Sequence, residues 1–457
     1  MLLLLTLAGI TPGCSIPEPE PEPGGEAEVE TGGETGGESG DDVLALEFDG
    51  EVPTNVLMIS VDTLRRDYVG RYDGSDRTPT LDRLLDEGFT LDDHRSCSSW
   101  TWPSVLCALS GRTIATLGVI SPGPSDPPPP LPAGASLLPD WLKAQGYATG
   151  LVTANDFLTD AYGLALGYDL KNDIADGRPP TLDIGPMGLE TLDALKATGA
   201  PWFLHLHYLD PHDPYSPPSG YKPDIDTAPV GGIELTNHHG VEAIAEGWEE
   251  YTDEEKALVI ETLKALYRAE IRLLDDALEA LLDALEARGD LDDTLVVIWS
   301  DHGEQFWEHG NWYHRQGLND EEAAAVASFW AKSLRAGATR APSTHLDLAP
   351  TLMAALGLAL PADVEGALDG DIVGAFGQER PRFAHAMKAE VSLQSVDCRR
   401  RRLLAWWHGE RRFYRLDEDP LELNNLYDPE DPEVIELEAL LAPELERYRE
   451  LAAGYDG

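Results

Sequence analysis

The chain has 457 residues, 42% of them hydrophobic, and a formal charge of −50 from 83 acidic against 33 basic residues. That is apolar material for one large core and a smaller second lobe. The charge excludes nucleic acid and anionic membrane surfaces as partners, because both are repelled at long range.

The first fourteen residues, "MLLLLTLAGITPGC", are apolar up to Cys14 and far too short to span a bilayer, so residues 1–14 read as a processing signal. "ITPGC" resembles a bacterial lipoprotein cleavage box, with Gly13 before a lipidated Cys14. The alternative is an ordinary cleaved signal peptide. Residues 15–52 read as an acidic, disordered linker. Thirteen acids and no Lys or Arg lie between Ser15 and Glu51, among many Gly and Pro. The expectation is a protein secreted across the inner membrane, periplasmic or at the cell surface, that meets the membrane only through its N-terminal lipid anchor. The remaining cysteines, Cys97, Cys107 and Cys398, leave room for one disulfide and do not make a framework.

Three apolar runs predict buried parallel strands that end in acidic or histidine-bearing loops. "NVLMISVD" ends at Asp62, "WFLHLHYLDPHDPY" passes through Asp210 and His212, and "TLVVIWSDHGE" reaches Asp301 and His302. Helical patterns lie between them. "TPTLDRLLDEGF" has a threonine cap and a glycine stop, and a long amphipathic stretch covers 253–290. "SDPPPPLP" (125–132) and "SPPSGYKPDIDTAPVGG" (216–232) read as surface loops. The alternation predicts an α/β fold with a mostly parallel central sheet flanked by helices, and ligands beyond the carboxyl ends of its strands. A catalytic domain over 53–360 and a small C-terminal α+β subdomain over 361–457 follow.

Asp62, Asp301 and His302 are the candidates for a metal site, since an unpaired carboxylate just past an apolar strand is costly. Zinc, manganese, magnesium or calcium would suit such a set. The alternative is that both aspartates cap helices. In "SSWTWPSVLCALSGR", Pro103 fits the first turn of a helix and puts Thr101 at its N-terminus, where backbone N–H groups favour an anion. There a hydroxyl beside a metal can act as a nucleophile; otherwise Thr101 is a plain cap.

The order of these segments resembles the sulfatase family within the alkaline phosphatase superfamily. "NVLMISVDTLRRDYVG" and "TLVVIWSDHGEQFWEHG" are similar to its two metal loops, and "TWPSVLCALSGR" to its nucleophile segment. "FLHLHYLDPHDPY", "LYRAEIRLLD", "HLDLAPTLMAALGLALP" and "RFYRLDEDPLELNNL" match further family segments, in order from about residue 54 to 427. The resemblance implies a large mixed sheet between helices with a small C-terminal antiparallel sheet. It implies that Asp62, Asp301 and His302 hold a divalent metal, with Thr101 as nucleophile and further ligand. His212 would contact substrate, and His314 or Arg315 would aid substrate or leaving group. His205 and His207, alternating on one strand face, read as structural.

The chain departs from the family where the nucleophile stands. Sulfatases carry Cys or Ser in C/S-x-P-S-R, oxidised to formylglycine; here Thr101 takes that place and Val105 replaces the arginine. A secondary alcohol would give a ketone, so the formylglycine hydrate is closed to it. "TGLVTANDFLTDAYG" lacks the Lys and His of the arylsulfatase G-K-W-H-L-G segment, and His302 stands where sulfatases usually have Asn. The expectation is a hydrolase of the sulfatase fold that cleaves a phosphoric or sulfuric ester of a small molecule, glycan or lipid through a covalent Thr101 intermediate. The alternatives are a phosphoryl-alcohol transferase acting on an envelope glycan, and an inactive binding protein of the same fold.

Overall fold

The apolar runs that end at Asp62, near His212 and at Asp301 are the three central strands of one sheet. The structure, a computed structural model, describes residues 46–119, 131–132, 134–172, 180–361, 364, 381–386 and 393–453. Cys14, the acidic linker up to residue 45 and most of the proline-rich loop at 125–132 lie outside the described residues. In chain order the strands are β1 (Asn55–Val61), β2 (Phe89–Leu91), β3 (His94–Arg95), β4 (Ala148–Thr153), β5 (Leu170–Lys171), β6 (Trp202–Tyr208), β7 (Thr294–Ser300), β8 (Gln305–Phe306), β9 (Trp312–Tyr313), β10 (Ala327–Trp330), β11 (Gly337–Thr339), β12 (Ser343–Thr344), β13 (Arg382–Ala386), β14 (Leu393–Cys398), β15 (Arg401–Trp406) and β16 (Arg411–Arg415).

The main sheet has eight strands in the order β11-β2-β10-β7-β1-β6-β4-β5. β1 pairs in parallel with β6 and β7, and β6 with β4, while β10 runs antiparallel to β7. Successive side chains of a strand point to opposite faces. Leu57, Ile59 and Val61 therefore join a core under the helices Pro79–Glu87, Thr181–Lys196 and Asp253–Ala287. Val56 and Met58 join a second core under Thr101–Ser110, Leu138–Ala144 and Leu348–Ala355. Burial on both faces explains why these strands read as continuous apolar runs. Among the described residues no helix is long and apolar enough to cross a membrane.

Two helix starts show how the local signals resolved. Thr252 and Glu255 close a capping box on the 35-residue helix Asp253–Ala287. Thr78, read as a side-chain cap, makes no such bond. The N–H groups of Thr80 and Leu81 are instead bound by the carboxylate of Asp275, which the long helix delivers from 195 residues away. A partner from another element has replaced the local cap.

The C-terminal lobe is a four-stranded antiparallel sheet, β13-β14-β15-β16, with the helix Pro432–Ala453 packed on it. It is joined to the main body by charge. The fully buried Arg402 bonds Asp397 at 2.7 Å, Glu422 at 2.6 Å and Asp320 at 2.8 Å. Arg95 of the main body bonds the same Asp397 and Asp320. β13 also reaches the segment before Thr101. The His385 amide donates to the Cys97 carbonyl at 2.8 Å, and the Ser98 hydroxyl donates to the His385 carbonyl at 2.6 Å.

Candidate active site

Because β7, β1 and β6 are neighbours, the residues just past their carboxyl ends meet in one place, as the strand pattern predicts. The ladder runs one step beyond the strands: Asp62 donates its amide to the Tyr208 carbonyl and Asp301 to that of Val61, both at 3.0 Å. Neither aspartate caps a helix. Asp301 Oδ1 accepts from the Thr63 amide at 3.0 Å and from the His302 amide at 2.7 Å. The first of these bonds needs Thr63 at φ 52°, a left-handed conformation that strains a β-branched residue.

Asp62, Asp301 and His302 are fully buried, and one ligand atom from each lies within 4.8 Å of the others. Asp62 Oδ1 and Asp301 Oδ2 have no hydrogen-bond partner. His302 Nδ1 donates to the Gly303 carbonyl at 2.9 Å, which leaves the lone pair on Nε2. That Nε2 is 3.6 Å from Asp62 Oδ1 and 3.6 Å from Asp301 Oδ2. Ligands of a four-coordinate cation at about 2.1 Å stand about 3.4 Å apart, so the three atoms fit a divalent metal. Two orphaned, enclosed carboxylate oxygens are the feature that a cation would resolve.

The electrostatics point the same way. Burial pushes Asp301 well above the usual carboxylate range, and the charge of Asp62 pushes it further. Burial also acts to raise Asp62, but His212, His207 and His302 outweigh it and hold that carboxyl below its ordinary value. Burial brings His302 down to about 4, so the ring is neutral and able to ligate.

Thr101 is the first residue of the helix Thr101–Ser110, with Pro103 in its first turn as expected. Its side chain does not cap that helix. Oγ1 instead faces the cluster, 3.4 Å from Asp62 Oδ2 and 3.5 Å from His302 Nε2. A disulfide between Cys97 and Cys107 spans this segment and ties its start to the helix.

His212, His314 and Arg315 come to the same place. His314 and His302 have ring centroids 4.6 Å apart, and His212 and His314 5.1 Å. His314 and Arg315 sit at the end of the β8–β9 hairpin, where Trp307, Tyr313 and Arg315 all take φ between 64° and 76°. Three bulky residues held in the left-handed region over nine positions mark a segment shaped for a task. The Arg315 guanidinium lies over Trp100 and Phe157, at 4.7 Å and 5.7 Å from the ring centroids.

Sequence reasoning missed two partners. Asn155, just past β4, donates Nδ2 to Asp62 Oδ2 at 2.6 Å. Its signal was a polar residue at the end of a fourth apolar strand. Glu304 Oε1 lies 3.1 Å from His314 Nδ1, and both side chains are enclosed. Burial first, then Asp213, pushes Glu304 well above the usual carboxylate range.

The sequence profile of the family described as Sulfatase matches residues 54–358, about two thirds of the chain. The chain belongs to the sulfatase family. The eight-stranded mixed sheet with its small antiparallel companion is the fold expected of that family. Among curated relatives, an arylsulfatase of Clostridium perfringens is 25% identical over 289 residues, 57% of this chain. The match spans 57% of that relative, a little over half its length. Of solved structures, one held in complex with its substrate D-glucosamine-2-N,6-O-disulfate superposes with a TM-score of 0.69 at 18% identity, over 89% of this chain and 99% of the other. A phosphonate monoester hydrolase from Silicibacter pomeroyi superposes with a TM-score of 0.64 at 19% identity, over 87% and 95% of the two chains. The sulfatase-family scaffold is thus similar to proteins named for both sulfur and phosphorus esters.

Proposed function

We propose that the protein is a divalent-metal-dependent hydrolase that cleaves a phosphoric ester through a covalent intermediate on Thr101. The single observation that carries this is the Thr101 hydroxyl, placed at a helix N-terminus and within 3.5 Å of both Asp62 and His302. Asp62, Asp301 and His302 would hold the cation, whose charge would balance the non-bridging oxygens of the ester. The rest falls to this chain's own groups. Thr101 Oγ1 attacks phosphorus as its proton passes to a neighbouring acceptor such as Asp62 Oδ2. The bond to the leaving alcohol breaks, and His212 or His314 returns a proton to that oxygen. Water then attacks the phosphothreonine, with one of the same histidines taking its proton, the acceptor of the first step returns its proton to Thr101 Oγ1 as the P–O bond breaks, and phosphate leaves.

Phosphorus is favoured over sulfur by the residue itself. A threonine ester is released only by attack of water, whereas formylglycine enzymes expel sulfate by collapse of a hydrate. A sulfuric ester remains the competing substrate, since the Clostridium perfringens relative is named an arylsulfatase. The Cys97–Cys107 bond supports an oxidising compartment and hence export. Together with the N-terminal apolar stretch it supports an envelope protein tethered at Cys14.

The test compares p-nitrophenyl phosphate, bis-p-nitrophenyl phosphate and p-nitrophenyl sulfate, with mass spectrometry of Thr101 in quenched turnover. Faster phosphate release and a labelled Thr101 are expected. Faster sulfate release, or an unimpaired Thr101→Ala, would overturn the proposal.

A further inference from the structure

His205 and His207 take no part in the site as described, yet they face it. Both lie on β6, one strand from β1, in a register that puts Ser60 opposite His207. The faces that carry Met58 and Phe203 into the core change here from apolar to polar. The result is an unbroken chain of contacts. Tyr168 Oη is 2.8 Å from His205 Nδ1. His205 Nε2 is 2.7 Å from Ser60 Oγ, and Ser60 Oγ is 2.7 Å from His207 Nδ1. His207 Nε2 makes no hydrogen bond and stands 3.5 Å from Asp62 Oδ2, an electrostatic contact. All four relay side chains are buried.

Burial keeps the His205 ring well below its ordinary pKa and so neutral, with one N–H to donate and one nitrogen to accept. His205 therefore donates to one neighbour and accepts from the other, and the Ser60 hydroxyl carries the chain on to His207 Nδ1. At the far end Asp62 Oδ2 receives Asn155 Nδ2 at 2.6 Å, while Oδ1 is the oxygen left without a partner beside Asp301 and His302.

We propose that Tyr168, His205, Ser60 and His207 form a buried relay of three hydrogen bonds that sets the His207 ring against Asp62 Oδ2 and so orients the carboxylate, with Oδ1 presented to a divalent cation. They are positioning residues, none touching the reacting atoms. The inference rests on Asp62 being a metal ligand, and partners that orient ligands in this way change metal affinity by about 10–100-fold when removed.

The experiment measures the affinity of the metal-stripped full chain for zinc and for manganese by chelator competition, in wild type and in Ser60→Ala, Tyr168→Phe and the double variant. Tyr168→Phe removes one hydroxyl four links from Asp62 and is the mildest change to the core. Ser60→Ala is expected to weaken binding about 10-fold or more, and Tyr168→Phe by a smaller factor. The double variant is expected to bind no worse than Ser60→Ala, because a chain already cut at Ser60 transmits nothing from Tyr168. Independent packing effects would instead multiply. Thr90→Val, which breaks a buried hydroxyl bond to the Leu85 carbonyl elsewhere in the sheet, controls for general loosening and should leave the affinity unchanged. Unchanged affinity in Ser60→Ala, or multiplicative losses in the double variant, would overturn the relay. A wild type that binds neither metal would overturn the metal reading of the site itself.

Discussion

The Arg315 guanidinium lies over the indole of Trp100, 4.7 Å from its centroid, and so joins the β8–β9 hairpin to the residue before Thr101. The Arg315 amide adds a bond to the Ser99 carbonyl at 3.0 Å. The hairpin that brings His314 is thereby held against the segment that carries Thr101. Stacked cations of this kind contribute about 0.5–2 kcal/mol, depending on how dry the site is. Arg315→Ala should lower kcat/KM about 10-fold or more while changing the unfolding free energy by no more than about 2 kcal/mol. Arg315→Lys should recover only part, because an ammonium lacks the planar face. Steady-state kinetics beside chemical denaturation check both.

Asp301→Asn separates charge from shape. The amide oxygen can still accept from the Thr63 and His302 amides, as Asp301 Oδ1 does now. Removing the carboxylate relieves its repulsion with Asp62, so the metal-free variant should melt higher than metal-free wild type. Added metal should then raise the wild type by about 2.7 kcal/mol at a hundredfold excess over Kd, and the variant little. Calorimetry with and without chelator, with elemental analysis of the dialysed protein, reads the crossing; full activity of chelated wild type would remove the metal from the mechanism.

Acid should unfold the protein through two buried histidines outside the metal cluster. Burial holds His345 down to about 3 and His385 down to about 4. Each binds its proton in the unfolded chain near pH 6.5 and in the folded protein only well below that. Their stability is therefore complete above about pH 6.5 and lost as pH falls toward 4, where each costs on the order of 3 kcal/mol. His385→Phe should flatten that slope in denaturation between pH 7 and pH 4. An unchanged slope would place the acid sensitivity elsewhere.

The Cys97–Cys107 bond closes a ten-residue separation around Thr101. Loop-closure entropy predicts that Cys97→Ser/Cys107→Ser loses about 2–3 kcal/mol of stability. Activity should fall more than stability does, since the free segment carries Thr101. Urea unfolding and kcat at a temperature where the variant is fully folded distinguish the two losses.

Much of the site was legible because its residues follow strands that are buried on both faces and so announce themselves. Asp62, Asp301 and the segment to His212 could be placed at strand ends from the apolar runs alone, and Pro103 marked the helix that begins at Thr101. What stayed hidden depends on partners distant in the chain. Asn155 bonds Asp62 across 93 residues, and Asp275 replaces the Thr78 cap across 194 and 195. The histidines at 205 and 207 read as structural because nothing local shows that Ser60 stands between them. Period and composition describe which face a residue takes, while register decides whom it meets.

The match to the family ends at residue 358, which invites trimming the chain to a minimal catalytic fragment. The buried charges argue against it. Cutting before β13 would strip Arg95 of Asp397, leaving Asp320 as its remaining carboxylate, and would remove Arg402 from Asp320. Breaking a buried pair in this way costs about 3–5 kcal/mol. It would also release the Cys97 carbonyl and the Ser98 hydroxyl, four and three residues before Thr101, from His385. The last quarter of the chain therefore braces the segment that leads to Thr101, and a fragment ending near residue 360 would be expected to accumulate as insoluble material.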